Sequence, residues 1–374
     1  MARPLRLFIL AGEPSGDRIA ADLVRRLRSR VEVELSGVGG DELSGQGLRP
    51  LFPMSDLAVM GITDVVLRLP LLLWRIEQTA RAIMASRPDI VVLVDAQDFS
   101  KLLAKRLVAL GHRGPRILYV APSVWARAPE RAKKLVPLFD EVLAVLPFEP
   151  RIMAELGGPP TFYVGHPALE ERLAPSNVSR GLVALLPGSR DGELRRHLPL
   201  MADLVQRLDG HPKIAGFFVP TLPSLAERIA AECADWPTSI TVEIDRGRRA
   251  DLYSRSVLAV SVAGTATLEL ALACVPTILT YVMDKPQARV FEKLGRPLVG
   301  LPNIILGRKV APELVTSRAD AGSLEREARL LLDNEKARQD QIEAFGELGQ
   351  LMSEGTPEHS RMDPAERILA YWRS

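Results

Sequence analysis

The sequence predicts an α/β fold with two doubly wound parallel sheets that face a cleft, followed by a helical C-terminal tail. Short apolar runs recur along the chain, and segments with helical periodicity separate them. Most of the runs do not alternate in polarity, which is typical of strands buried on both faces of a parallel sheet. Because the runs form two sets, the βα pattern is predicted to occur in two domains.

The predicted strands lie as follows. The first set is Leu5–Leu10, Val31–Leu35, Ile90–Val94, Ile117–Val120, Val142–Leu146 and Thr161–Val164. The second set is Leu182–Leu186, Gly216–Val219, Ile240–Glu243, Val257–Val262 and Thr277–Val282. Val31–Leu35 alternates in polarity, so we expect it to be half-exposed near a sheet edge. After Ala311 the pattern is helical to the C-terminus.

The domain boundary is predicted in Gly165–Gly181, which is rich in Pro, Ser and charge. The domains are then 1–168 and 169–320, and the helices of 321–374 are expected to cross back over the first domain. Ligands of doubly wound folds bind at the carboxyl ends of the strands. We therefore expect the chemistry in the loops that follow the strands.

The composition excludes several classes of protein. Of the 374 residues, 47% are hydrophobic, which excludes a disordered chain. Lys and Arg number 48 and Asp and Glu 46, so the net charge of +2 indicates no nucleic-acid partner. The N-terminus does not resemble a signal peptide, and no apolar stretch approaches the roughly 20 residues of a membrane span. A cytoplasmic protein is expected.

Neither a metal ion nor a cofactor is predicted. Cys233 and Cys274 are far apart, and the five histidines never pair at ligand spacing. There is no DxD motif to hold a divalent ion on a nucleotide. His166 either lines the cleft or forms a hydrogen bond at the hinge.

Two loops of the first domain carry carboxylates. The segment Ala11–Asp17 follows the first strand, where Gly12 and Gly16 permit a tight backbone and Ser15 or Asp17 could cap the next helix. Such a helix start is either an anion site or an ordinary capped turn. Glu13 has no obvious structural task and is expected to face the cleft.

Asp95 follows the apolar strand Ile90–Val94 directly. A carboxylate in this position suits a rigidly held catalytic base, although it could also cap the next helix. Asp98 fits the capping role better, which leaves Asp95 free for chemistry.

Two loops of the second domain suit phosphates. Pro187-Gly188-Ser189-Arg190 combines a glycine, a helix start and a fixed positive charge. Ala263-Gly264-Thr265-Ala266-Thr267 repeats the arrangement before a helix that bears Glu269. We expect these loops to bind a diphosphate, although ordinary βα turns are the alternative.

The segment Asp56–Met84 mixes apolar side chains with Arg68, Arg75 and Arg81. It suits either a surface that dips into an anionic bilayer or binds an acyl chain, or a core helix with its connector. The predicted membrane or acyl contacts are Leu69, Leu72, Leu73, Trp74 and Arg75. A second basic and aromatic stretch, Ser123–Leu135, favours the membrane surface.

Nine motifs follow one another along nearly the whole chain. They are AGEPSGD (Ala11–Asp17), DLAVMGI (Asp56–Ile62), VDAQDF (Val94–Phe99), PSVWA (Pro122–Ala126), LPFE (Leu146–Glu149), VGHP (Val164–Pro167), LLPGSR (Leu185–Arg190), GTATLE (Gly264–Glu269) and LPNIILGRKVAPEL (Leu301–Leu314). In this order they resemble the lipid-A-disaccharide synthases, inverting bacterial glycosyltransferases of glycosyltransferase family 19 with two Rossmann-like domains (GT-B).

The resemblance implies a reaction in lipid A biosynthesis. UDP-2,3-diacylglucosamine and 2,3-diacylglucosamine 1-phosphate would give a β-1,6-linked disaccharide 1-phosphate and UDP, without a metal. Asp95 would be the general base, and Glu13 would support or position the acceptor. The donor would contact Gly188, Ser189, Arg190, Gly264, Thr265, Glu269, Asn303 and Arg308. The acceptor side of the cleft would include Ser15, Gly16, Asp98 and His166.

Several positions depart from the family's usual pattern. Gln97 replaces Pro, Ser100 replaces Asn, Arg127 replaces an aromatic residue and Ala263 replaces Ser. None of these positions carries a chemical role, so the predicted activity is unchanged.

The resemblance also implies partners. An anionic membrane surface at the inner face of the cytoplasmic membrane would supply the lipids, and the C-terminal helices would pack on the first domain or exchange within a homodimer. The alternatives are a sister UDP-sugar enzyme of the same fold and a non-catalytic nucleotide-binding protein at the membrane.

Overall fold

The computed structural model describes residues 3–57, 62–125, 128–169 and 178–373. Three predicted features fall partly outside these residues: the centre of the DLAVMGI motif, Ala126 with Arg127, and residues 170–177 of the predicted boundary. The chain forms two compact units, of which the first is Met1–Pro167 with Met352–Ser374 and the second is Ala168–Leu351. The α/β fold predicted from the sequence is confirmed.

The first unit contains a six-stranded parallel sheet in the order β2-β1-β3-β4-β5-β6. Its strands are β1 (Leu5–Ala11), β2 (Val33–Val38), β3 (Ile90–Val94), β4 (Arg116–Tyr119), β5 (Glu141–Ala144) and β6 (Thr161–Tyr163). Its helices are α1 (Pro14–Arg28), α2 (Asp41–Gly45), α3 (Ile62–Ser86), α4 (Gln97–Ala109), α5 (Glu149–Glu155) and, near the C-terminus, α14 (Pro364–Arg373).

The second unit contains a second six-stranded parallel sheet, in the order β12-β11-β10-β7-β8-β9. Its strands are β7 (Gly181–Leu186), β8 (Ile214–Pro220), β9 (Ile240–Glu243), β10 (Ser256–Val262), β11 (Thr277–Val282) and β12 (Glu313–Thr316). Its helices are α6 (Asp191–Leu208), α7 (Pro223–Cys233), α8 (Arg246–Ser254), α9 (Thr265–Leu272), α10 (Lys285–Lys293), α11 (Leu301–Leu306), α12 (Ala321–Asp333) and α13 (Glu335–Glu354), within which the unit boundary falls.

Burial explains why the strands could be predicted. All five residues of β3 are buried, as expected of a central parallel strand. The alternating run was correctly placed, since β2 is a partly exposed edge strand. The prediction of helix throughout the chain after Ala311 was wrong, because β12 pairs with β11 there. This short edge strand depends on pairing with a distant segment, which local periodicity does not report.

The helix α14 is fastened to the first unit by a buried ion pair. The Arg367 guanidinium donates to both carboxylate oxygens of Glu141, with an Nε–Oε1 distance of 2.9 Å. Glu141 is 1% exposed, and it also accepts a hydrogen bond from the Tyr371 hydroxyl at 3.1 Å. The same guanidinium lies 3.8 Å from the centre of the Phe162 ring. Because Glu141 begins β5, these contacts fix the C-terminus to the sheet.

No helix in the described part of the chain combines the length and apolar character needed to cross a membrane.

We predict that Arg367→Met lowers the free energy of unfolding by about 3 kcal/mol, because it leaves the buried Glu141 carboxylate without its cation. Denaturant titration of the whole chain measures this. Arg30→Met is the matched control, since Arg30 pairs with Asp363, just before α14, where both side chains are partly exposed. It should cost less than about 1 kcal/mol. Equal losses for the two variants would contradict the proposed importance of the buried pair.

Candidate active site

In the first unit, the loops after β1 and β3 pack against each other at the carboxyl edge of the sheet. A Cβ atom at Gly12 would lie 2.6 Å from the Cβ of Ala96, a distance too short for two carbons. A Cβ atom at Gly16 would lie 3.3 Å from the Cβ of Asp95. The two glycines therefore let the loop that carries Glu13 approach the loop that carries Asp95.

Asp95 occupies a strained turn. Asp95 and Ala96 both have left-handed backbones, with φ values of 54° and 45°. Neighbouring groups hold this conformation, since the Asp95 N–H donates to the Tyr119 carbonyl at 2.9 Å and the Ser100 hydroxyl donates to the Asp95 carbonyl at 2.9 Å. The residue at the start of α4 is Ala96, and among the described residues no side chain caps this helix, so Asp95 does not serve as a helix cap.

Burial raises the pKa of Asp95 to about 6, and the negative charge of Glu13 adds to the effect. A hydrogen bond from the Ala96 N–H partly opposes both. At neutral pH Asp95 is therefore mostly a carboxylate, yet it accepts a proton more readily than an ordinary aspartate. Glu13 is itself exposed, at the residue before α1.

The expectation that Asp98 caps the next helix is wrong. Asp98 lies in the first turn of α4, where its side chain is 86% exposed and pairs with Lys101 at 2.7 Å. This pair lowers the pKa of Asp98. Asp95 and Asp98 thus lie three residues apart in opposite electrostatic environments.

Asp17 also has a different role from the predicted one. It is buried, and its carboxylate accepts hydrogen bonds from the N–H groups of Gly40 at 2.8 Å and Glu42 at 2.9 Å. These groups belong to the start of α2, so Asp17 joins two loops. Neither Asp17 nor the half-buried Ser15 caps α1, whose N-terminus has no side-chain cap.

Gln97, one of the departures from the family pattern, connects the loops after β3 and β4. Its amide nitrogen donates to the Val120 carbonyl at 3.0 Å. Val120 has φ 76°, which is strained for a β-branched residue. The amide oxygen of Gln97 is buried, and no described residue forms a hydrogen bond with it.

The PSVWA and LPFE motifs meet at Glu149, whose role sequence reasoning missed. The Trp125 indole N–H lies 3.4 Å from its carboxylate, and the Leu146 N–H donates to it at 3.0 Å. Burial raises the pKa of Glu149 to about 8, so at neutral pH this side chain is mostly protonated. The signal in the sequence was a glutamate in the first turn of the helix that follows the apolar strand β5.

His166 lies beside Gly165, which has φ 90°. Burial and the positive charge of Arg18 lower the pKa of His166 to about 4, so the imidazole is neutral at pH 7.

In the second unit, a carboxylate occupies part of the loop predicted to bind phosphate. The Glu193 side chain accepts hydrogen bonds from the N–H groups of Ser189 at 3.1 Å and Arg190 at 3.3 Å. It also pairs with the Arg190 guanidinium at 3.2 Å. Gly188 has φ 102°, and a Cβ there would lie 2.4 Å from Glu193. The glycine is therefore required for the approach of Glu193.

The loop after β10 is open by contrast. Gly264 and Thr265 are exposed, and no side chain in the described part of the chain caps the start of α9. The Thr267 hydroxyl closes the turn by donating to the Gly264 carbonyl at 2.7 Å. Glu269 lies on the same helix and lines a pocket together with Arg246, Arg249 and Tyr253. An anion could approach this helix start directly.

Asn303 is completely buried, and its side-chain amide donates two hydrogen bonds and accepts two. It accepts from the N–H groups of Val310 and Ala311 at 2.7 and 2.9 Å, and donates to the Ala311 carbonyl and to Glu313 at 2.9 and 2.7 Å. Arg308 is exposed and pairs with Glu347, which is also exposed. Asn303 thus holds the loop that presents Arg308.

The predicted membrane contacts on α3 divide into two groups. Leu69, Leu73 and Trp74 are 45%, 53% and 55% exposed. Leu72 packs against the core, and Arg75 pairs with Asp56 while lying over the rings of Phe52 and Trp74. Only the first group presents an apolar surface.

Comparisons with known proteins identify the family of the chain. A family model described as lipid-A-disaccharide synthetase matches residues 7–361. The chain is 37% identical to a lipid-A-disaccharide synthase of Rhodospirillum centenum, over 98% of this chain and 94% of that protein. It is 35% identical to one of Nitrobacter hamburgensis, over 97% and 94%. Among solved structures, a kitacinnamycin glycosyltransferase has a TM-score of 0.64 at 14% identity, over 99% of both chains, which shows the GT-B fold. The chain belongs to the lipid-A-disaccharide synthetase family.

Proposed function

We propose that this chain joins UDP-2,3-diacylglucosamine to 2,3-diacylglucosamine 1-phosphate. The bond between the donor's anomeric carbon and UDP breaks, and a β-1,6 bond to the acceptor forms. Membership in the family supports this reaction. The observation that carries the chemical assignment is the partly buried carboxylate of Asp95, whose pKa lies near 6 beside Glu13.

Asp95 is the proposed general base. It takes the proton of the acceptor 6-hydroxyl while that oxygen attacks, and the electrons of the breaking bond leave with the UDP diphosphate. A base works best when its pKa is near the working pH, and both burial and Glu13 move Asp95 in that direction. The strained turn fixes the carboxylate, which reduces the cost of orienting it.

Glu13 has the proposed role of keeping Asp95 basic and contacting the acceptor sugar. It is exposed and its carboxylate caps no helix, so both of its oxygens can accept hydrogen bonds from acceptor hydroxyls. Ser15, Gly16, Asp98 and His166 are proposed to line the acceptor site with it. A neutral His166 can both donate to and accept from a sugar hydroxyl.

The donor diphosphate is proposed to bind at the start of α9 and to Arg190. The Gly264–Thr265 backbone is open, whereas the Ser189 and Arg190 amides are engaged by Glu193. Arg190 is 71% exposed and can turn from Glu193 to the phosphates at low cost. Its charge and the helix-start amides would stabilise the leaving UDP. Glu269 is proposed to bind the ribose hydroxyls.

Asn303 and Arg308 have separate proposed roles. Asn303 has no hydrogen-bonding capacity left, so we assign it to positioning the loop rather than to touching the donor. Arg308 can reach a ligand because its partner Glu347 is exposed and such surface pairs are weak.

Attachment to the inner face of the cytoplasmic membrane is proposed through Leu69, Leu73 and Trp74. Exposed side chains of this size on one helix suit contact with lipid, and both substrates carry acyl chains. A homodimer with exchanged C-terminal helices is a further proposal from the resemblance. In this structure Arg367 and Glu141 meet within one chain, and the same contacts could form between two chains.

The sister UDP-sugar enzymes are the second candidate. They share the two-sheet fold, but the family match over residues 7–361 favours the synthase. Mass spectrometry of the lipid product distinguishes them, since only the synthase gives a tetra-acylated disaccharide monophosphate.

We predict that Asp95→Asn lowers kcat by about 10²–10⁴-fold, because it removes the base without changing the size of the side chain. UDP affinity should be unchanged, since the proposed donor loops belong to the second unit and Asp95 to the first. The assay is UDP release in detergent with both substrates. Asp41→Asn, an exposed carboxylate in the same unit, is the control. Full turnover by Asp95→Asn would remove the catalytic assignment.

We predict that Glu193→Gln tightens UDP binding by up to about fivefold, because the exposed Arg190 guanidinium loses its carboxylate partner, and a pair whose cation is exposed to solvent contributes roughly 1 kcal/mol or less. Calorimetry with UDP measures the change. In an Arg190→Gln background the same substitution should have little effect on UDP affinity. That result would show that the change acts through the Arg190–Glu193 pair. Weaker UDP binding by Glu193→Gln in the folded protein would instead assign Glu193 to supporting the loop.

We predict that Leu73→Ser combined with Trp74→Ser reduces pelleting with phospholipid vesicles, because it removes the exposed apolar surface of α3. Activity on detergent-dispersed substrates should persist. Unchanged pelleting would contradict the proposed role of α3.

A further inference from the structure

The helix α10 has the pattern of an amphipathic helix, but none of its nine residues is buried. Val290 is 53% exposed, and Leu294, immediately after the helix, is 54% exposed. The two are four residues apart and therefore share one face. A surface helix normally turns such a face toward the core. Within the described residues, this face is not packed against a hydrophobic core.

A basic stripe runs beside the apolar face. Lys285, Arg289 and Lys293 are spaced four residues apart, so they line one side of the helix. None of their side chains forms an ion pair or hydrogen bond with a described residue. The acidic groups nearby are already engaged, since Glu292 pairs with Arg296 and Asp284 caps the helix. The surface is therefore cationic as well as apolar.

Capping accounts for the stability of α10 without core contacts. The Asp284 carboxylate accepts from the Gln287 N–H at 2.8 Å, and the Gln287 side chain accepts from the Asp284 N–H at 3.0 Å. This reciprocal arrangement satisfies two backbone donors at the helix start, and Pro286 suits the first turn. The exposed apolar side chains are thus not needed for the helix to form.

The position of α10 relates it to the donor site. It follows β11, which runs parallel to β10 in the same sheet. The carboxyl ends of the two strands therefore lie at one edge, so α10 begins at the edge that carries Gly264 and Thr265.

We propose that α10 lies in the headgroup layer of an anionic bilayer, as a second lipid contact contributed by the second unit. Val290 and Leu294 enter the acyl boundary, and the three cations pair with lipid phosphates. Amphipathic helices with a basic stripe beside an apolar face bind anionic membranes in this way. The inference rests on the proposed function, since a donor with acyl chains is supplied by a membrane.

The test uses the full chain and two kinds of vesicle, pure phosphatidylcholine and equimolar phosphatidylcholine with phosphatidylglycerol. It is made in the Leu73→Ser/Trp74→Ser background, so that α3 does not conceal the effect. One variant replaces Lys285, Arg289 and Lys293 by Gln, and another carries Val290→Ser with Leu294→Ser. UDP release in detergent is measured in parallel, which separates lipid binding from the reaction.

The charge variant should lose at least tenfold in affinity for the anionic vesicles, because each cation near such a surface contributes about 1 kcal/mol, roughly fivefold. Added salt should weaken the binding of the parent but have little effect on the charge variant. The apolar variant should lose binding while keeping its activity in detergent. Leu330→Ser with Lys336→Gln, an exposed pair on another surface, is the matched control and should change nothing.

Unchanged vesicle binding in both α10 variants would overturn the inference and leave the proposed reaction intact. Loss of detergent activity without loss of vesicle binding would also overturn it, because α10 would then serve the substrate site itself. A change in sedimentation from dimer to monomer, again with vesicle binding unchanged, would assign the face to a second copy of the chain.

Discussion

The proposed chemistry of the first unit depends on one constraint, which is that the carboxylate of Asp95 is partly buried beside that of Glu13. Asp95 is held in a left-handed turn after a completely buried strand, and Glu13 reaches it because Gly12 and Gly16 lack side chains. Each feature alone is unfavourable, since the turn is strained, the burial penalises charge and the two carboxylates repel. Burial and the charge of Glu13 raise the pKa of Asp95 to about 6, which an exposed aspartate would not have.

Four other acidic side chains show how environment decides function. Asp17 and Glu193 accept backbone N–H groups and thereby fix loops, whereas Glu141 is neutralised by Arg367. Glu149 has no cation among the contacts that affect its pKa, so burial leaves it mostly protonated at neutral pH. Only Asp95 combines a raised pKa with a place at a strand end beside the loop that carries Glu13. This contrast supports its selection as the base.

The sequence predicted the elements that depend on local patterns. Buried runs such as Ile90–Val94 identified the strands, and the place of Asp95 after one of them followed directly. It could not predict β12, whose formation depends on pairing with β11. Nor could it show that the Glu193 side chain folds back onto the Ser189 amide, or that Arg75 is tied to Asp56. Those contacts depend on side-chain conformation and on how distant segments pack together in the fold. Neither periodicity nor motif spacing encodes this information.

The most direct test of the account is the pH dependence of kcat/KM in the natural chain and in Glu13→Gln. In the natural chain the rate should rise with pH through an apparent pKa near 6, as Asp95 loses its proton. In Glu13→Gln this acidic limb should move to lower pH, because the carboxylate of Asp95 no longer faces a negative neighbour. An acidic limb that stays in place in the variant would contradict the account. So would a limb near the ordinary aspartate value of about 3.9 in the natural chain.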